Sequence, residues 1–387
     1  MAAALCGGAA TVVAAACSGG GSPVLVTDLP PRVTSTMEVD VRVGAPIDTD
    51  SAAHFLPMLT DGWQARPVAA WGGKFLVSET EVHQEADSIS QRFVLWDPVT
   101  GMREPAWETD AGWQDIVTGV DGGLAVTVRT GLELPFPEWR IDVRNLRTHE
   151  TKTVAQSQAE VAEDPSVKVA PPFGFAPYPS VQGGRLAWAE YTRRDGVTNR
   201  EVRLHDLRTG ETKTLTIVTA ASGENLASVT LGGDRAAWVR SAADGAPRIV
   251  VQDLTSGREM QPDYEARPYA VALDATGTTL AWDDARGGKY VTHLDGRAPE
   301  RFAGDEGWGV VASGQWYTWA PAAAYGGTAG FFDVRRRELR LVERKDHVQV
   351  NYAAVLGQAF AWQELITDDN GTPDEGRSGY YFLPLDS

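Results

Sequence analysis

The feature of this sequence that most constrains its fold is a unit that recurs seven times. Each unit begins with a turn and a short apolar strand, which usually ends in tryptophan, as in "GGRLAW" (183–188). A strand–turn–strand segment follows, as in "REVRLHDLRTGETKTL" (200–215). A fixed repeat of this length is typical of folds in which each unit packs against the next. The units span 64–107, 113–154, 178–217, 227–261, 269–303, 307–343 and 348–385.

Each unit predicts four short antiparallel strands. In the third unit these are "YPSVQG", "RLAWAEY", "EVRLHDL" and "ETKTLTI". The turn "DLRTGE" has the chemistry of a hairpin, because the Asp206 carboxylate accepts hydrogen bonds from backbone N–H groups just downstream. Gly210 supplies the positive φ that the end of such a turn requires.

A single four-stranded sheet leaves both of its faces exposed, whereas units stacked around an axis bury them and keep only short edges. The sequence therefore predicts an all-β fold, a seven-bladed β-propeller of four-stranded antiparallel blades that occupies residues 34–387. Tryptophans recur at one position of successive units, and we expect them to pack between neighbouring blades. They are Trp188, Trp238, Trp282, Trp319 and Trp362.

The last unit lacks a fourth strand, because the chain ends soon after "SGYYFLPL". A segment near the other end alternates strictly between apolar and charged residues, "MEVDVRV" (37–43). Such alternation is typical of a half-buried strand. We therefore expect this N-terminal strand to pair outside "GYYFLPL" and to close the ring.

The hairpins "REVRLHDLRTGETKTL" and "RIVVQDLTSGREMQ" (248–261) resemble those of bacterial TolB-type and WD-repeat-like propellers. The resemblance covers about residues 60–387 and concerns the fold more than the function. TolB-type domains bind other proteins of the cell envelope. The resemblance thus implies a binding role outside the cytoplasm.

The first residues predict export and anchoring. Residues 2–16 are small or apolar and uncharged, as in the core of a signal peptide, and are too short for a permanent membrane span. "AAAC" (14–17) resembles the lipobox of bacterial lipoproteins, which implies a signal peptide at 1–16, lipid on Cys17, a flexible tether at 17–33 and attachment to the extracytoplasmic side of the cell membrane. The alternative is an unprocessed disordered leader.

Charge and composition narrow the possible partners. The net charge is −17, and no basic stripe accompanies it, which argues against nucleic acid as a partner. No motif predicts a cofactor or a metal site, so we expect neither. One acidic turn, "DDNGTPDE" (368–375), is similar to short calcium loops, but a solvated hairpin is the alternative that we favour.

Aromatic residues recur where the chain enters successive blades, and they are the candidate ligand-binding residues. If they surround the mouth of the channel, they offer a platform for sugar rings or protein side chains. The alternative is that they form local core beneath the loops. They are Trp63, Trp113, Tyr178, Tyr269, Trp308 and Tyr352.

Catalytic motifs are missing from the sequence. It has no G-x-S-x-G, no H-E-x-x-H and no phosphate-binding glycine loop. We therefore predict a non-catalytic binding module for a protein or glycan of the envelope, although catalysis stays open. The alternative is a carbohydrate hydrolase or lyase that uses carboxylates such as Asp283–Asp284 or Glu79–Glu81.

Overall fold

The structure is a computed structural model, and its description covers most of the chain beyond residue 41. The described residues are 42–81, 90–131, 138–158, 161, 177–242, 247–262, 268–284, 288–295, 299–303, 307–321, 329–343, 345, 348–368, 374 and 376–385. The leader, Cys17 and the tether lie outside these ranges, as does most of the acidic turn at 368–375.

The described residues form a seven-bladed β-propeller, which confirms the predicted fold class. Blade 1 contains β3 (Leu59–Thr60), β4 (Trp63–Trp71), β5 (Lys74–Glu81), β6 (Gln91–Trp96) and β7 (Arg103–Glu108). Blade 2 contains β8 (Trp113–Asp121), β9 (Leu124–Gly131), β10 (Trp139–Asn145) and β11 (Thr151–Gln156). Blade 3 contains β12 (Ser180–Gln182), β13 (Arg185–Arg194), β14 (Val197–Asp206) and β15 (Thr212–Thr219).

The remaining blades repeat this order. Blade 4 contains β16 (Asn225–Gly232), β17 (Arg235–Ser241), β18 (Pro247–Asp253) and β19 (Glu259–Met260). Blade 5 contains β20 (Pro268–Leu273), β21 (Thr279–Asp284), β22 (Lys289–His293) and β23 (Glu300–Ala303). Blade 6 contains β24 (Gly307–Ser313), β25 (Trp316–Pro321), β26 (Gly330–Asp333) and β27 (Glu338–Leu341), with β1 (Arg42–Val43) on its outer edge. Blade 7 contains β28 (Val348–Leu356), β29 (Ala359–Ile366), β30 (Gly379–Pro384) and β2 (His54–Pro57). Two short 3₁₀ turns, Thr49–Ser51 and Ala220–Ser222, complete the described elements.

The first strand of every blade lies innermost, since β4, β8, β12, β16, β20, β24 and β28 each contact the next in turn and β28 contacts β4. Between each pair of blades lies one hydrophobic cluster, and the seven clusters together form the core. The five repeated tryptophans are at most 1% exposed, which confirms that they pack as core.

The hairpins between third and fourth strands follow the chemistry read from "DLRTGE". The Asp206 carboxylate accepts hydrogen bonds from the N–H groups of Arg208 and Thr209, at 2.8 and 2.9 Å, and Gly210 has φ +76°. The same acceptor geometry recurs at Asp97, Asn145, Asp253 and Asp333. One local turn chemistry therefore sets the register of the outer strands in five blades.

An N-terminal strand closes the ring, but it is not the segment predicted from the sequence, and that prediction is wrong. β2 pairs antiparallel with β30, with Leu56 opposite Tyr380. Of the predicted strand 37–43, only Arg42 and Val43 are described, and they pair in parallel with β27 of blade 6. Val43 is 65% exposed. The alternation in the sequence therefore correctly indicated a strand but not its partner. The strand that completes blade 7 is instead the segment that leads directly into blade 1.

The two faces of the propeller differ. On the turn face, tight turns join first to second strands and third to fourth strands. On the loop face, the innermost strands begin and second strands connect to third strands, through a two-residue turn in blade 3 and longer connections in blades 1, 2 and 7. The loop face is where the sequence predicts a site.

Candidate recognition face

Five of the six candidate aromatic residues lie at or near the beginning of an innermost strand, on the loop face, and the sixth, Tyr352, lies in the middle of one. Trp63 and Trp113 are the first residues of β4 and β8, and Tyr269 and Trp308 are the second residues of β20 and β24. Tyr178 precedes β12 by two residues, and Tyr352 is the fifth residue of β28. The repeat brings the other five positions to one face because every first strand runs in the same direction around the channel.

Trp63 is stacked with an arginine that a buried carboxylate holds in place. The guanidinium carbon of Arg92 lies 4.0 Å from the centre of the Trp63 ring. Arg92 Nε donates to Glu79 Oε2 at 2.6 Å, and Arg103 Nη1 donates to Glu79 Oε1. The Glu79 side chain is fully buried, whereas 37% of the Arg92 side chain is exposed. One carboxylate between two guanidinium groups leaves this cluster with a net positive charge.

Blade 2 repeats the arrangement at Trp113. The guanidinium carbon of Arg140 lies 5.8 Å from the centre of the Trp113 ring, and its Nε donates to Asp142 Oδ2 at 3.0 Å. Arg92 and Arg140 occupy equivalent places, since each lies opposite a charged residue of the second strand, Glu79 or Arg129. The Arg140 side chain is 38% exposed, and the Asp142 side chain is buried.

A second set of ion pairs lies behind Trp113. Arg129 donates through Nε to Asp115 Oδ1 at 2.7 Å and through Nη1 to Asp110 Oδ2 at 2.5 Å. Arg144 Nη2 approaches Asp115 Oδ2 at 3.3 Å. Burial lowers the pKa of Arg144, although Asp115 opposes that shift. This network fixes the backbone and the side chains on which the exposed part of the face rests.

Among the candidate aromatic residues whose burial the structure describes, Tyr178 and Tyr269 are the exposed ones, at 39% and 42%. The pairing of β20 with β21 skips Tyr269, which therefore occupies a β-bulge between Pro268 and Ala270. Bulges redirect a side chain away from the regular ladder. Neighbouring protein groups exclude enough water to raise the pKa of Tyr178.

Tyr352 has a different environment, in the seam between blades 7 and 1. Its hydroxyl donates to the backbone oxygen of Pro67 at 3.0 Å, and its ring meets Tyr380 edge to face at 5.6 Å. The Arg66 guanidinium lies 5.0 Å from the ring centre. Burial raises the pKa of the Tyr352 hydroxyl. These contacts correspond to the local-core alternative for this one residue.

The second strands share a recurring charged position, which the sequence analysis did not identify. It lies two residues after the repeated tryptophan or its equivalent. Six blades carry it, and blade 6 has Pro321 there instead; the charged residues are Glu79, Arg129, Glu190, Arg240, Asp284 and Glu364. Aligning the seven second strands reveals it, since a charge recurs in six of them where an amphipathic strand would end. Most of these side chains are buried beneath the loop face.

Blade 3 shows how such buried charges are satisfied. Glu201 accepts hydrogen bonds from Thr192 at 2.6 Å, Arg203 at 2.8 Å and Thr214 at 2.9 Å. Burial alone would raise the pKa of Glu201, but these bonds outweigh it and lower the pKa. Burial raises the pKa of the neighbouring Glu190. Both carboxylates thus serve the internal structure of the blade.

Asp283 links blade 5 to blade 6. Its two oxygens accept hydrogen bonds from the N–H groups of Ala270, at 2.7 Å, and of Gly309, at 2.8 Å. Burial raises the pKa of Asp283 to about 6, against these two bonds and the nearby charge of Lys289. A raised pKa in a cleft is typical of a catalytic acid. Here the residue is only 1% exposed, so the carboxylate acts as a joint between blades.

The carboxylate pairs suggested by the sequence differ in geometry. Asp283 and Asp284 are adjacent in β21, so they point to opposite sides of the sheet, and Asp284 accepts from the hydroxyl of Tyr290 at 3.2 Å. Glu79 and Glu81 lie on the same side of β5, with Glu79 fully enclosed by its arginines. Neither pair presents two open carboxylates.

Among the described residues, no group of three or more histidine, cysteine or acidic side chains is placed to hold a metal ion. A small cavity of about 40 Å³ lies between blades 6 and 7, toward the turn face, beside Trp316, Arg336 and Pro384. Ligand sites usually enclose about 300–1,000 Å³.

In the part of the chain that the structure describes, no helix has the length and apolar character needed to cross a membrane.

Neither a protein family nor a curated protein matches this chain by sequence. Solved structures match it in fold. An acylaminoacyl peptidase in complex with Z-Gly-Gly-Phe-chloromethyl ketone superposes with a TM-score of 0.53 at 12% identity, over 82% of this chain and 51% of that one. The β-propeller domain of the Trilobed protease from Pyrococcus furiosus gives 0.52 at 10% identity, over 85% and 97%. The acylaminoacyl peptidase of Pyrococcus horikoshii gives 0.52 at 11% identity, over 78% and 49%. This chain spans about half the length of the two peptidases, and the likeness establishes the propeller fold alone.

Proposed function

We propose that this chain is a lipid-anchored, extracytoplasmic β-propeller that binds a protein or glycan of the cell envelope through its loop face, without catalysis. The observation that carries the proposal is the pair of Trp–Arg stacks at the beginning of blades 1 and 2, with exposed Tyr178 and Tyr269 on the same face. Aromatic and arginine side chains are the residues that contribute most to recognition surfaces.

The carboxylates favour recognition over hydrolysis. Glycosidases need two carboxyl groups that face a bound sugar across an open gap. Glu79 is enclosed between two arginines, Glu201 by four hydrogen bonds, and Asp283 by two backbone N–H groups. These groups are committed to the fold, and the exposed Asp110 carboxylate is paired with Arg129.

Anchoring is supported by the sequence "AAAC" (14–17) and by the resemblance of the hairpins to those of TolB-type domains. Lipid on Cys17, with more than one acyl chain, would give stable attachment where a single chain would not. The propeller would then meet its partner outside the cytoplasm.

The test uses the full chain, tagged at its C-terminus, as bait for envelope extract. The first variant carries Trp63→Ala and Trp113→Ala. The matched control carries Val99→Ala and Met102→Ala, which remove exposed apolar side chains, 82% and 59% exposed, from the turn face of blade 1. We expect the wild type and the control to capture the same partner and the tryptophan variant to lose it. Equal capture by all three baits would contradict recognition through the loop face, and cleavage of envelope glycans by the purified chain would support the hydrolase alternative.

A further inference from the structure

The two Trp–Arg stacks share one property that the general proposal does not use. In each, only Nε of the arginine is bonded to a carboxylate, Arg92 to Glu79 and Arg140 to Asp142. Among the residues that the structure describes, Nη1 and Nη2 of both arginines have no hydrogen-bond partner. The side chains are 37% and 38% exposed, so these nitrogens can be reached from solvent.

The bonded Nε fixes the direction in which the free end of each guanidinium points. The carboxylates that hold the arginines are themselves buried, and an indole ring lies beside each guanidinium, at 4.0 Å from Arg92 and 5.8 Å from Arg140. A guanidinium held at Nε presents its two Nη groups as a fork, which matches the two oxygens of a carboxylate. Each stack is therefore a preorganised donor pair beside an aromatic ring.

We propose that the stacks of blades 1 and 2 bind two acidic sugars of one uronate-type glycan, with one arginine for each carboxylate. The proposal rests on the proposed recognition function and names the ligand class of that same face. A uronic acid carries its carboxylate on the sugar ring, so one unit meets both the arginine fork and the neighbouring aromatic surface. An acidic peptide offers the carboxylate on a flexible side chain and leaves the aromatic surface unused.

The repetition of the stack indicates a repeating ligand. The two sites occupy equivalent positions in adjacent blades, on one face. The net charge of −17 opposes an anionic ligand at long range, but screening at physiological salt limits such effects to about 8 Å. The excess positive charge of the cluster around Glu79 acts at short range, where the contact forms.

The test measures binding of three probes to the full chain by titration calorimetry. The probes are a galacturonate hexamer, the same hexamer with methyl-esterified carboxylates, and a hexamer of L-glutamate. We expect the galacturonate hexamer to bind at least tenfold more tightly than either of the others. Equal binding of the esterified hexamer would overturn the role of the carboxylates, and equal or tighter binding of the glutamate hexamer would overturn the glycan assignment in favour of an acidic peptide.

Two arginine variants locate the site. Arg92→Lys and Arg140→Lys keep the positive charge but remove the fork, and we expect each to weaken binding of the galacturonate hexamer about tenfold. The matched control is Arg208→Lys, because Arg208 is an exposed arginine in the 206–211 turn of blade 3, on the turn face. Unchanged affinity in both variants, or an equal loss in the control, would overturn the assignment.

The envelope pull-down separates failure of this inference from failure of the proposed function. Capture that Trp63→Ala/Trp113→Ala abolishes and Arg92→Lys/Arg140→Lys leaves unchanged would overturn the acidic-glycan site while recognition by the loop face stands. Loss of capture in both double variants, together with binding of the galacturonate hexamer, supports the inference.

Discussion

Substitution of Leu56 by alanine tests how the ring is closed. Leu56 lies in β2, is 1% exposed and belongs to the cluster between blades 7 and 1, which includes Phe75 and Phe382. Removing three buried carbons costs about 2.4 kcal/mol of transfer free energy, and the residual cavity adds to it. We therefore expect Leu56→Ala to lower the free energy of unfolding by about 3 kcal/mol.

The matched control is Val43→Ala in the segment that the sequence assigned to closure. Val43 is 65% exposed, so we expect a change within about 0.5 kcal/mol. A second closure variant is Gly379→Ala. A methyl group there would lie 2.5 Å from the backbone oxygen of Leu56 and push β2 away from β30.

Thermal unfolding followed by tryptophan fluorescence gives the readout. For a domain of roughly 340 residues, a loss of about 3 kcal/mol lowers the melting temperature by about 4 °C. We expect this shift or a larger one in Leu56→Ala and Gly379→Ala, and less than about 1 °C in Val43→Ala. A larger shift in Val43→Ala than in Leu56→Ala would refute closure by β2.

Three further predictions concern a strained bulge, a buried acid and the anchor. Ser228 has φ +50°, and its hydroxyl accepts a hydrogen bond from the N–H of Val271 in the next blade, at 2.9 Å. Ser228→Ala should therefore lower the free energy of unfolding by about 2 kcal/mol, and Ser228→Gly by about 1 kcal/mol less, because glycine relieves the backbone strain. Urea unfolding measures both values, and the reverse order would contradict this reasoning. Burial raises the pKa of Asp283 from 3.8 to about 6, so its folding penalty is absent below pH 4, develops as the pH rises toward 6 and reaches about 3 kcal/mol above it. The free energy of unfolding of the wild type, relative to Asp283→Asn, should therefore increase by about that amount from pH 7 to pH 4, and a flat difference would refute the assignment. Cys17→Ser should release the protein from membranes into the soluble fraction, and unchanged fractionation would exclude the lipid anchor.

The fold was predictable because its determinants are local and repeated. The turn residues Asp206 and Gly210 act within six residues of chain, and the recurring turn-and-strand pattern, with tryptophan in five of its copies, defines seven units. The closing strand was not predictable from alternation alone. Residues 37–43 have a cleaner pattern than "HFLP" (54–57), but a pattern identifies a strand and says nothing about its partner. Only β2 leads directly into β3 and β4, so chain connectivity decides which segment completes blade 7.

The candidate site was predictable in part. The repeat places Trp63 and Trp113 at the beginning of innermost strands, and their positions on the loop face follow from it. Their arginine partners lie 27 to 29 residues away along the chain, in third strands, and depend on the register of two hairpins. The buried charges behind them also depend on pairings between strands and between blades, which a linear pattern does not contain.

The path of the chain before blade 1 has a mechanical consequence. From the turn face, Arg42–Val43 runs along the outer edge of β27, bonded through Gly44 N to Leu339 O at 2.9 Å and through Ile47 N to Leu341 O at 2.7 Å. The Ile47 side chain is then fully buried between blades 6 and 7. A force that pulls the N-terminus away from the turn face loads these bonds in shear, so that they resist together and do not peel one by one. The tension therefore reaches blade 6 before it reaches β2. The strand that closes the ring is thus protected from a force applied to the N-terminal chain that precedes it.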